Sequence, residues 1–69
     1  KRDKVGLGSK VKLKLGNRKM EYTIVGPTEA NPSEGKISNE SPIGKIIMGH
    51  KTGEKLDFDS RTVEILEIG

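Results

Sequence analysis

Sixty-nine residues can form one domain and no more, and a chain this short buries only about 60% of its unfolded surface. Cysteine is absent and no apolar run approaches the ~20 residues of a membrane span, so disulfides, thiolate–metal staples and a spanning helix are excluded within these residues. The net charge of +3 is too mild to name a nucleic-acid partner by itself, and with 33% charged residues the core must come from a few aliphatics.

Lys1 to Gly8 reads as a linker or lead-in, charged and then broken by Gly6 and Gly8, with Val5 and Leu7 able to tuck against the domain edge. The chain starts at Lys1 rather than Met, and is read as a piece of a longer protein whose domain occupies 9–69. Ser9 to Leu15 alternates strictly: Val11, Leu13 and Leu15 on one face, Lys10, Lys12 and Lys14 on the other. That is the pattern of a half-buried strand. Met20 to Val25 alternates as well, with Met20, Tyr22 and Ile24 on one face. Taking Gly16 to Lys19 as a four-residue loop pairs Leu15 with Met20, Leu13 with Tyr22 and Val11 with Ile24, and sets Lys14 opposite Glu21.

Gly26 to Glu34 holds two prolines and reads as loop, and Gly35 to Ser38 as a short strand with Ile37 inward. The one helix follows. Ser41 is placed to cap it, and Pro42 occupies the first position, where no amide donor is needed. Ile43, Ile46 and Ile47 form an apolar face, and Gly49 stands where a left-handed terminating residue is wanted. About two turns long, this helix must pack on a sheet to persist. Glu54 to Phe58 is a fourth strand, Asp59 to Arg61 a tight connection, and Thr62 to Ile68 the last strand. There the alternation slips: Val63 and Ile65 share one face, Leu66 and Ile68 the other. A bulge near Ile65 or burial of both faces would reconcile them. The order β-β-β-α-β-β predicts an α+β fold: a curved antiparallel sheet of about five strands with one short helix packed on it.

Little in the chain carries catalytic chemistry. His50 is the only histidine and reads as a polar group at a helix end. Asp57 and Asp59 flank Phe58 beside Lys55 and Arg61, which reads as a solvated edge. No phosphate-loop pattern occurs. The Lys10, Lys12, Lys14 stripe could track a phosphate backbone, but it lacks the aromatic platforms that single-strand readers add. The corner Asn39-Glu40-Ser41-Pro42 is the best candidate for a docking point, where free first-turn amides meet a rigid proline.

The runs GSKVKL, EYTIVGPTEANPSEGKIS and SPIGKIIMGHKTGEKLDF resemble the C-terminal domain of the bacterial transcript cleavage factors GreA and GreB, from Gly8 to Ile68. The most specific parts are Glu29-Ala30 followed by Gly35-Lys36-Ile37-Ser38, and Ser41-Pro42-Ile43-Gly44 with Gly49 and Gly53 behind it. The resemblance implies an FKBP-like fold. It also implies docking on RNA polymerase at the rim of its secondary channel, against a helical coiled coil of the largest subunit. The family makes that contact through an acidic-Ser-Pro corner, matched here by Glu40, Ser41 and Pro42. Transcript cleavage in the family needs acidic residues on an N-terminal coiled coil that help hold magnesium. These residues contain no such coiled coil, so the chain is expected to anchor rather than cleave. No enzymatic activity, cofactor or metal of its own is expected, and the setting is the bacterial cytoplasm.

Two departures bear on the subfamily: the connection at Asp59-Ser60-Arg61 is shorter than usual, and Val63 stands where an aromatic is common. The alternatives are a protein like the regulator of nucleoside diphosphate kinase, which shares this domain, and a weak nucleic-acid module using the lysine stripe. Two aromatics, Tyr22 and Phe58, are too few for the prolyl isomerase pocket that an FKBP-like fold brings to mind.

Overall fold

The computed structural model describes residues 4–69; Lys1, Arg2 and Asp3 of the expected lead-in lie outside the described residues. The strands are β1 (Lys10–Leu15), β2 (Arg18–Val25), β3 (Lys36–Ser38), β4 (Lys55–Phe58) and β5 (Arg61–Ile68), and the helix is α1 (Pro42–Ile47). They form one five-stranded sheet in the order β3-β2-β1-β5-β4. The expected α+β architecture and element order are present. The sheet, however, is mixed rather than antiparallel, because β3 runs parallel to β2 with Ile37 beside Ile24. The chain between them makes this possible. It carries two short 3-10 turns, Pro27–Glu29 and Pro32–Glu34, each opened by a proline whose fixed φ suits the first position. They return the chain to the start of the sheet edge, where a hairpin would have reversed it.

The β1–β2 hairpin also differs from expectation. Leu13 pairs with Met20 and Val11 with Tyr22, and Leu15 faces Arg18. The connection is the two residues Gly16 and Asn17, with Gly16 at φ +61°, the position where a type II′ turn takes glycine. A two-residue turn matches the twist of the strands, so it outcompetes the longer loop. The slip is by two residues, so every side chain keeps its face. Val11, Leu13 and Ile24 remain inward and fully buried. Lys12, rather than Lys14, now lies opposite Glu21.

The ambiguity in the last strand resolves as a bulge. Leu13 pairs with Ile65 while Lys12 pairs with Glu67, so Leu66 is the extra residue. This shifts the alternation by one, which lets Ile68 rejoin the inner face with Val63 and Ile65. Leu66 instead joins Lys12, Lys19, Met20 and Glu21 around a shallow groove. The core comprises Val5, Val11, Leu13, Ile24, Ile37, Ile47, Val63 and Ile65. Val5, in the expected lead-in, is only 2% exposed, while Leu7 is 55% exposed. The Val5 amide donates to the His50 carbonyl at 2.9 Å, and its carbonyl accepts from Gly49 at 2.9 Å, which pins it to the end of α1.

The β4–β5 connection is as tight as expected, with Phe58 opposite Arg61. Asp59 and Ser60 both take positive φ, 51° and 66°. Two successive left-handed residues are the requirement of a type I′ turn, which favours Asn-Gly. Ser60→Gly is therefore expected to stabilise the fold by about 0.5–1 kcal/mol, raising Tm by roughly 2–8 °C in a thermal melt. A lowered Tm would show that Ser60 is held by something other than the turn.

Candidate partner-binding corner

The corner is built where β3 ends and α1 begins. Ser38, the last strand residue, pairs with Val25 on β2, and the next amide, Asn39, donates to the Val25 carbonyl at 2.9 Å. The chain then turns. The Ser38 carbonyl accepts from the Ser41 amide at 3.0 Å and from the Ser41 hydroxyl at 2.7 Å. The Ser38 hydroxyl accepts from the Glu40 amide at 2.9 Å. Ser41 Oγ in turn accepts from the Gly44 amide at 3.1 Å, the N-cap bond expected of it. Pro42 occupies the first helical position, and α1 ends at Ile47 with Met48 as its C-cap and Gly49, at φ +80°, just beyond.

Two side chains are left facing solvent, Glu40 and Pro42, while Ser41 between them is half-buried and committed to the cap. The structure thus brings all three expected residues into one turn and gives them different tasks. Ser41 sets the shape, and Glu40 and Pro42 form the exposed surface. Ile47 is fully buried and Ile43 and Ile46 are half-buried, which anchors the helix to the sheet.

One contributor to this corner is not legible from spacing. Gly44 is buried, and a Cβ there would overlap the Ser38 carbonyl oxygen and lie 2.8 Å from Ser41 Oγ. Its contact with the end of β3 is made in space, and only the Ser-Pro-x-Gly run marks it. Asn39, already within the expected corner, has its Oδ1 buried without a hydrogen-bond donor.

The lysine stripe lies on the sheet's outer face and is not a run of positive charge. Lys12 is flanked by Glu21 on β2 and Glu67 on β5, with Nζ 3.5 Å from Glu67. Lys14 is paired with Glu64 on one side and Lys19 on the other. Alternating signs cancel most of the field a phosphate backbone would feel. The salt bridge is exposed, so its own contribution to stability is small.

His50 has a partner. Its Nδ1 lies 3.0 Å from Glu54 Oε1, and the Lys51 amide donates to Glu54 Oε2 at 2.6 Å. The His50 hydrogen bond, and after it the Lys51 amide, hold the Glu54 carboxyl below the ordinary carboxylate range. A lowered folded-state pKa stabilises the fold at pH values above the unfolded carboxylate pKa. That contribution is lost as pH falls through the folded value. Glu54→Gln should therefore lower Tm above about pH 4.5 and converge with the unsubstituted chain as the pH falls further, a difference read from two Tm-against-pH curves. Among the described residues no group of three or more His, Cys, Asp or Glu side chains is placed to hold a metal ion.

The family model for the C-terminal domain of the transcription elongation factors GreA and GreB matches residues 1–69. The chain belongs to the GreA/GreB family. GreA of Thermomicrobium roseum is 49% identical over 59 residues, an alignment that covers 86% of this chain and 38% of that protein. GreA of Oenococcus oeni is 45% identical over 71 residues, covering 93% of this chain and 44% of that protein. The crystal structure of GreA factor homolog 1 from Thermus thermophilus superposes with a TM-score of 0.83 at 33% identity, covering 97% of this chain and 49% of that one. The chain thus spans less than half the length of these relatives. Its fold, with the parallel β3 and the short capped helix, is that of a GreA/GreB C-terminal domain. No helix among the described residues is long and apolar enough to cross a membrane.

Proposed function

We propose that this GreA/GreB-family domain docks on RNA polymerase through Glu40, Ser41 and Pro42, against the rim coiled coil of the largest subunit at the secondary channel. Membership of a family of transcription elongation factors supports the partner. The observation that carries the site is the turn from Ser38 to Ser41. Its hydrogen bonds fix the backbone while leaving the Glu40 carboxylate and the Pro42 ring outward. A fixed backbone carrying an exposed acid beside a rigid, exposed apolar ring leaves only side-chain freedom to be lost on binding, and that favours a specific contact from a small surface. These 69 residues are assigned the anchoring step, and transcript cleavage is assigned to elements outside them.

Glu40→Ala and Pro42→Ala separate contact from scaffold. Alanine is an excellent helix former, so Pro42→Ala should leave Tm nearly unchanged. Each variant is expected to weaken binding to RNA polymerase core enzyme by roughly five-fold or more, as loss of an interface anchor of at least about 1 kcal/mol requires. Unchanged affinity in both would remove the corner from the interface.

A further inference from the structure

We infer that Ser38 is a positioning residue of the docking corner, acting through Glu40. This rests on the proposed polymerase contact and adds to it a residue that touches no partner. Ser38 is half-buried at the end of β3, and its two polar groups do separate things. Its carbonyl takes both bonds from Ser41 and so governs the start of the helix. Its hydroxyl takes the Glu40 amide at 2.9 Å and so governs the residue that presents the carboxylate. A serine hydroxyl bonded to the amide two residues on is a side-chain-closed turn, a device that holds a short loop in one conformation. Without it, the Glu40 amide loses its one protein partner, and the Asn39–Glu40 peptide is restrained only from its two sides, by the Asn39 amide on Val25 and the Ser41 bonds to the Ser38 carbonyl.

The separation makes the inference testable. Ser38→Ala removes only the hydroxyl and keeps the strand pairing and the carbonyl. The Glu40 amide it releases belongs to an exposed residue and can bond to water, so the fold loses little. Ser38→Ala is therefore expected to lower affinity for RNA polymerase core enzyme by roughly two- to ten-fold with Tm nearly unchanged. The loss cannot exceed that of Glu40→Ala, and in a Glu40→Ala background Ser38→Ala should cost nothing further. A buried control of greater stability cost, Ile65→Val, should bind normally while folded, which separates positioning from general destabilisation.

If Ser38→Ala leaves affinity unchanged while Glu40→Ala lowers it, Ser38 has no positioning role and the docking proposal stands. Additive losses in the double variant overturn the inference in the same way. If Glu40→Ala itself has no effect, the docking assignment of Glu40 falls, and the role given to Ser38 falls with it.

Discussion

Gly44→Ala is expected to destabilise the domain by about 2–4 kcal/mol and to disable the corner with it. The usual sign is the opposite: glycine in a helix interior is worse than alanine by ~1 kcal/mol. Here the added methyl group has no room. It would overlap the Ser38 carbonyl oxygen and press on Ser41 Oγ at 2.8 Å. Those are backbone and cap atoms, which cannot swing aside. Overpacking of this kind costs about 1–3 kcal/mol, and displacing the Ser41 cap adds about 0.5–2 kcal/mol. A thermal melt should show Tm lowered by roughly 10 °C or more. Under conditions where the variant is still folded, α1 must stand away from β3, so polymerase affinity should fall as well. A Gly44→Ala variant with unchanged or raised Tm would show that the helix can move off Ser38 at no cost.

Leu13→Ala should be at least as damaging. Leu13 is fully buried at the middle of the central strand, paired with Met20 on one side and Ile65 on the other. Truncating such a leucine costs about 2–5 kcal/mol, because the removed contacts leave a cavity that rigid neighbours cannot close. At about 0.05–0.15 kcal/mol per residue, 69 residues have about 3–10 kcal/mol in all. About half of the margin disappears at the middle of these ranges, and Tm should fall by roughly 10 °C or more by circular dichroism. A cooperative melt within about 5 °C of the unsubstituted chain would mean that the core is held mainly by other residues.

The contrast between these two positions shows what the chain discloses as text. Leu13 is legible because alternation over Val11, Leu13 and Leu15 is a local property. The helix was legible for the same reason, from Ser41 and Pro42 to Gly49. The role of Gly44 depends on a carbonyl six residues back in the chain that the fold returns to its side, and periodicity carries no trace of that. The direction of β3 was hidden in the same way. Lys36–Ser38 is three residues long, and a strand that short reads alike in either direction. The hairpin register differs by two residues from the one its text suggests because Arg18 and Lys19 look like loop residues, although the turn needs only Gly16 and Asn17. At the proposed corner, Glu40, Ser41 and Pro42 are marked in the sequence by capping chemistry and the family pattern. Ser38 is not, since its contribution is two hydrogen-bonding groups that act only once the strand ends where it does.

The position of β1 between β2 and β5 has a consequence for how the chain is made. One neighbour of β1 follows it directly, while the other is the last strand, about fifty residues away. Pairing of β1 with β2 can form within about 1–10 μs, but the Leu13–Ile65 seam cannot form until β5 has been synthesised. At about 5–20 residues per second, β1 waits roughly 3–10 s with one edge unpaired. Throughout that interval Lys10, Lys12 and Lys14 sit on the open edge, where charged side chains discourage pairing with a stranger's strand. Glu67 and Glu64, opposite Lys12 and Lys14, arrive on the strand that closes it. The lysines thus guard a nascent edge before they become part of a surface of mixed charge.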